Sequence, residues 1–433
     1  MGASNAAINA GDTAWMLVAC AMVLLMTPGL AFFYGGLVRS KNALNTMMMS
    51  IASLGIVGLA WAVLGYSLAF APGNDFLGGL DFVLLRGVGL EARGAIPHLL
   101  FMAYQGTFAI ITAALISGAV VERIRFGPYL AFIAVWSLAV YAPVCHWVWG
   151  GGWLADLGAL DFAGGTVVHV TAGTAAVVAA TIVRPRKDYG RQALLPHNVP
   201  FVLLGAALLW FGWFGFNAGS ALAASASATL AFVNTMLAPA ATLVVWMALD
   251  LARSGKATAV GGATGIVVGL VAVTPAAGFV SPMSAIVIGA LATFPSYFAI
   301  VRRARTGLDD SLDVAGAHGV GGLTGALLTG VFASAAWGGT DGLLHGHPRQ
   351  LLIQSLGVLA AAAWSGGVSW LLIGALAAWT RLRAEGRDEG RGLDVLDHGE
   401  EAYTHGEGAI LVVPGASGRT MPATTRPAAE GHS

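Results

Sequence analysis

The chain alternates long apolar runs with short polar or Gly/Pro-rich breaks. Eleven runs reach or approach the roughly 20 residues that a helix needs to cross a bilayer. They lie at 13–37, 44–70, 98–121, 127–149, 163–183, 200–219, 227–250, 258–274, 283–301, 313–333 and 352–379. The fifth, eighth and tenth are the least emphatic, because Gly, Thr and Ala dilute them. The first run has no basic segment before it and is too long for the apolar part of a signal peptide, so it reads as a retained span.

Basic residues fix the sidedness of this pattern. Of the 22 Lys and Arg, all but Arg86, Arg93 and Arg349 fall after runs one, three, five, seven and nine or beyond run eleven. Cytoplasmic loops of membrane proteins carry such an excess. The N-terminus is therefore expected outside and the C-terminus in the cytoplasm.

Composition agrees. Apolar residues make up 57% and charged residues 10%, against about 25% charged in soluble proteins. A water-facing globule, a disordered chain, a coiled coil and a nucleic-acid binder are excluded; 22 basic residues balance 22 acidic ones. Cys20 and Cys145 sit in apolar runs and read as small hydrophobes. Glycine is abundant, with 60 residues; Gly261, Gly265 and Gly269, and Gly321 with Gly325, have the spacing that lets membrane helices pack closely. Residues 1–383 read as a membrane domain and 384–433 as a cytoplasmic tail, whose last 30 or so residues have a disordered composition.

Ionisable groups inside a membrane are costly and mark function. His169 lies in run five and His318 in run ten, each after an Asp-x-Ala-Gly element, beginning at Asp161 and Asp313. Runs five and ten point in opposite directions, which suggests inverted halves of runs one to five and six to ten, with run eleven added. Two neutral imidazoles at matched positions can share a hydrogen bond. The competing account is two unrelated core histidines, each bonded to a carbonyl. Asp161 and Asp313 read first as caps of helix N-termini, with Asp161 placed to influence a cation outside. Trp149, before three glycines, the stretch Trp213–Ser220 with Phe216, and Tyr104–Phe108 offer aromatic faces and a hydroxyl. Such a set suits a small cation, and it also suits ordinary packing. His345 and His347 read as solvated. A metal site or intramembrane enzyme is not supported, since no ligand cluster or nucleophile–base pair accompanies the histidines.

Four stretches, Asp161–His169, Gly212–Ser220, Val314–Gly319 and Gly392–Tyr403, together resemble the ammonium transporter (Amt/MEP/Rh) family, bacterial Amt type, over about residues 13–403. The resemblance implies an all-α, eleven-helix, inverted-repeat fold assembled as a homotrimer in the inner membrane, with one pore per subunit. It implies an outer ammonium site of Phe108, Trp149 and Ser220 with Trp213 beside it, a gate of Phe108 and Phe216, and His169 and His318 lining the pore. Asp161 and Asp313 would support the site, and Thr274 would fall in the pore region. Ammonium would lose its proton, ammonia would cross, and the proton would follow separately, so that uptake carries charge. The Gly392–Tyr403 element would meet other subunits and a PII-type regulatory protein. No cofactor or metal is implied; the partners are ammonium, further copies of the chain, lipid and the regulator. An electroneutral ammonia or carbon dioxide channel of Rh type and a membrane ammonium sensor are the alternatives.

Overall fold

The computed structural model describes residues 7–403. Each expected run is helical. We label the helices α1 Ala10–Leu37, α2 Ser40–Phe70, α3 His98–Ala119, α4 Phe126–Asp156, α5 Gly165–Val183, α6 Val199–Gly219, α7 Ala226–Ser254, α8 Ala259–Val273, α9 Pro282–Arg303, α10 Ala315–Val320 continued by Gly321–Phe332, and α11 Pro348–Trp379. Among the described residues, nine are long and apolar enough to cross a membrane. The other two, α8 and α10, are among the three runs diluted by Gly, Thr and Ala. The expected disorder beyond residue 403 lies outside the described residues. Two short antiparallel hairpins, pairing Gly73 with Gly78 and Ala92 with Pro97, interrupt the α2–α3 connection.

Local chemistry sets the helix starts. Asn9, Asn198, Ser225, Thr258 and Ser281 each accept, through the side chain, a backbone N–H three residues on, satisfying a donor that the helix leaves free. Pro200, Pro282 and Pro348 sit in first turns, where a missing N–H costs nothing.

Small residues set the packing. On α6, a methyl added to Gly205 would fall 2.3 Å from the backbone nitrogen of Phe33 on α1, so these helices meet almost backbone to backbone. The glycine spacings read from the sequence serve the same end: Gly265 lies against Trp246 of α7, and Gly325 of α10 against Ala272 of α8.

Helices α5 and α10 run antiparallel. Near the start of α5, Phe162 packs on Phe279, whose carbonyl is bonded by Ser334 beyond the end of α10. Near the end of α5, Arg123 donates to Arg184 O at 2.7 Å and to Asp309 O at 2.5 Å, just before α10 begins. The second location is one end of the bundle and is rich in arginine. Arg186 there binds Asp309 through two nitrogens, at 2.8 Å each, and Glu122 at 2.7 Å. Arg39 and Asn42 also bond Glu122, which is fully buried.

The segment after α11 lies across this end. Asp394 accepts the Leu44 and Asn45 N–H groups at 3.1 and 2.7 Å, Asp397 accepts that of Phe126 at 3.1 Å, and His197 bonds the Tyr403 hydroxyl at 3.0 Å. Two tail carboxylates thus occupy the N-terminal turns of α2 and α4, where free N–H groups favour negative charge.

Candidate functional site

Both histidines lie in π-helical turns, Gly165–Val170 at the head of α5 and Ala315–Val320 at the head of α10. Such turns are rare and recur at functional sites. They widen the helix, and the two imidazoles they carry face each other.

A carboxylate nucleates the first turn. Asp161 accepts four backbone N–H groups: Gly164 and Gly165 on one oxygen, at 2.8 and 2.6 Å, and Thr166 and Val167 on the other, at 2.8 and 3.0 Å. Bonds to a charged acceptor contribute about 1.5–3 kcal/mol each, which offsets the several kcal/mol lost on burying the ion. The capping expected of Asp161 is what forms. The Asp161 carbonyl also accepts Trp149 Nε1 at 2.8 Å, which orients that indole.

Asp313 requires a correction. It does not cap α10. Its carboxylate pairs with Arg303 at 2.5 Å, and its backbone is left-handed, with φ of 60°. The cap is Asp310, which is fully buried and accepts the Ala315 N–H at 2.7 Å. Asp161 precedes His169 by eight residues and Asp310 precedes His318 by eight, so Asp310 is the counterpart that sequence reasoning missed. The spacing was the available signal.

The two imidazoles face each other with Nδ1 atoms 3.2 Å apart and ring centroids 5.3 Å apart. They bond each other, not separate carbonyls. One Nδ1 carries the shared proton and the other accepts it, so the two rings hold opposite tautomers. His169 Nε2 is buried without a protein partner. A small apolar cavity of about 10 Å³, here called the lumen, lies at this point, room for roughly one water-sized molecule, walled by the two histidines with Leu30, Ile111, Leu115, Val168 and Val267 among others.

At one end of the lumen Phe108 and Phe216 stack, with centroids 4.1 Å apart and planes at 23°. Trp149 meets Phe108 edge-on at 5.9 Å. Ser220 Oγ donates to Phe216 O at 2.9 Å. Phe108, Phe216, Trp149 and Ser220 therefore cluster at this aromatic end. Trp213 meets the Phe216 ring at 5.5 Å and, one turn deeper on α6, stacks on His169 at 5.4 Å and 17°. Its Nε1 donates to Thr274 Oγ1 at 2.9 Å, so Thr274 braces the wall. At the other end His318 and Asp313 border a cavity of about 410 Å³, with Arg303, Arg186, Tyr189 and Ser311 on its rim.

The model of the Ammonium Transporter Family matches residues 14–403. The chain belongs to this family. It is 50% identical to an ammonium transporter of Aquifex aeolicus, over 93% of this chain and 95% of that one. It is 46% identical to an ammonium transporter of Bacillus subtilis, over 91% and 98%. The crystal structure of Saccharomyces cerevisiae Mep2 superposes with a TM-score of 0.82 at 38% identity, covering 87% of each chain. A solved structure described as a sensor Amt protein superposes with a TM-score of 0.85 at 33% identity, covering 90% of this chain and 98% of that one.

Proposed function

We propose that this chain is an ammonium transporter that admits ammonium at the aromatic end, removes its proton there and passes ammonia through the lumen. The observation that carries the reading is the bonded pair His169–His318 inside an otherwise apolar lumen, closed at one end by Phe108 and Phe216. A bare cation in such a lumen faces a desolvation cost of tens of kcal/mol in the Born limit. Neutral ammonia does not. Phe108 and Trp149 supply ring faces, and Ser220 an oxygen, to hold the cation before it is split. Potassium resembles ammonium in size but has no proton to give, so it stops at this step. The proton then moves through the paired imidazoles and rejoins ammonia in the cavity bordered by His318 and Asp313, and net uptake carries one charge.

The same reading places all eleven helices across the cell's inner membrane, as an inverted repeat plus α11. The aromatic end faces outside, and the arginine-rich end and tail face the cytoplasm. It assembles three copies, each with its own pore, and gives the tail element Gly392–Tyr403 to contact with a PII-type regulator.

The test is current across protein-containing liposomes on a supported membrane after an ammonium pulse, in wild type, His169→Ala and His318→Ala. The expected result is a wild-type current selective over potassium, with current or selectivity lost in both variants. Ammonia flux without current would replace this reading by an electroneutral channel. Neither flux nor current from folded protein would favour a sensor, the description carried by one similar structure.

A further inference from the structure

Helix α6 ends at Gly219, so the Phe216 carbonyl lacks the i+4 backbone donor it would have in mid-helix. Two side-chain hydroxyls take its place. Ser220 Oγ donates to it at 2.9 Å, and Tyr104 of α3 reaches across to donate to Phe216 O and Gly215 O, at 3.0 Å each. The Tyr104 oxygen also lies 3.4 Å from Ser220 Oγ. Its ring meets Phe108 edge-on, with centroids 5.1 Å apart. Tyr104 is fully buried, and the space for its hydroxyl is built in: a methyl on Gly219 would fall 2.7 Å from that oxygen.

The geometry points to Tyr104 as a positioning residue that ties the ammonium-accepting oxygen of Ser220 to the Phe108 ring and the Phe216 backbone. This inference rests on the reading of Ser220 as an ammonium ligand. One side chain touches Phe108 through its ring and the Phe216 backbone through its oxygen. The two hydroxyl protons are used on the Gly215 and Phe216 carbonyls. Ser220 then presents only lone pairs to a guest. A hydroxyl held in that state receives an N–H donor and offers nothing to a group that needs a proton donated to it. Tyr104 fixes where those lone pairs point by holding the carbonyl to which Ser220 is bound.

The experiment is a double-mutant cycle with Tyr104→Phe and Ser220→Ala, read as half-saturating ammonium concentration, maximal current and ammonium-to-potassium current ratio, with the unfolding midpoint as the folding control. Tyr104→Phe keeps the ring and removes the hydroxyl. It is expected to raise the half-saturating concentration by about two- to tenfold, the size of one neutral hydrogen bond, and to lower the current ratio, while maximal current falls less than twofold. In the Ser220→Ala background the same change is expected to add less than about twofold. Tyr104→Leu, which also removes the ring, is expected to reduce maximal current as well. If Ser220→Ala raises the half-saturating concentration but Tyr104→Phe does not, or if the two effects multiply in full, the positioning role is overturned and the ligand role of Ser220 stands. If Ser220→Ala itself changes nothing, the reading of the site fails, and this inference with it.

Discussion

Gly173 and Gly319 touch backbone to backbone: a methyl placed on Gly173 would lie 2.3 Å from Gly319 Cα and 2.4 Å from its nitrogen. This is a close approach of the helices that carry the two histidines, as is that of Gly322 to Gly165 and His169. The contact is asymmetric, because a methyl on Gly319 would meet Gly173 at 3.4 Å, an ordinary distance. Gly173→Ala is therefore expected to push α10 away, cost about 1–3 kcal/mol and weaken ammonium current. Gly319→Ala is expected to fold and transport near wild type. Unfolding midpoints and currents of the two variants check this; equal behaviour would remove the packing argument.

Both oxygens of Asp161 are already shared between two N–H groups each, so its main task is to form the π turn beneath Trp149. Asp161→Ala orphans four buried donors and is expected to yield little folded protein. Asp161→Asn retains one acceptor oxygen and sets its NH₂ against backbone donors; a loss of about 3 kcal/mol is expected, with residual transport. Thermal unfolding in detergent, measured beside current, decides the matter. An Asp161→Ala protein of wild-type stability but without current would mean that the carboxylate contacts ammonium directly.

Arg186 is the shared cation of two buried carboxylates, Glu122 and Asp309. Burial alone would raise both pKa values. For Glu122 the Arg186 charge, helped by Arg39, more than offsets it, and for Asp309 the bonds from Arg186 do so; both end below their usual range. A depressed carboxyl pKa adds stability that is present at neutral pH and lost as pH falls through about 4 and below. Arg186→Ala strands both charges, and a loss of about 3–5 kcal/mol is expected. Its pH profile of unfolding should start to change at higher pH, because the unpaired carboxyls take up protons sooner. Unfolding midpoints from pH 8 to 3 test both points.

Asp394 behaves in the opposite sense. Burial against α2 raises its pKa to about 6, although it accepts two N–H groups there. Lys41, Arg391, Glu401 and Tyr403 surround it, and the His197 charge works against the rise. The docked Asp394 binds a proton more tightly than a free one and so strengthens docking as pH falls from 7.5 to 5.5, while His398, whose pKa burial lowers, works the other way; the Asp394 part is the one that Asp394→Asn removes. Trypsin cleavage at Arg387 and Arg391, divided at each pH by trypsin's rate on a free arginine peptide, should slow towards the acid end in wild type relative to Asp394→Asn. Asp394→Asn should flatten the dependence. Faster cleavage in acid would reverse the sign of this argument.

The membrane helices were legible because bilayer crossing is a local property of apolar length. The two spans that fall short of the apolar-helix criterion, α8 and α10, were already weak in the sequence, where Gly, Thr and Ala trade hydrophobicity for close packing. His169 and His318 were legible as ionisable residues where few are tolerated. The role of Asp310 was not, because Asp313 carries the more obvious Asp-x-Ala-Gly pattern and only the π turn makes a spacing of eight meaningful. The depth of Trp213 was also hidden, since sequence order does not say which turn of α6 reaches His169. The docking of Asp394 on α2 joins residues about 350 positions apart, a contact that no local pattern encodes.

Asp161 and Asp310 stand at equal spacing before histidines on helices that run in opposite directions. Turned end for end, the order of carboxylate, widened turn and imidazole is kept, but two details are not: Asp161 accepts four N–H groups, and Trp213 stacks on His169 alone. Under the function proposed above, a preferred direction of passage would be set by these differences and by the unlike mouths, stacked aromatics at one and an arginine–aspartate pair at the other.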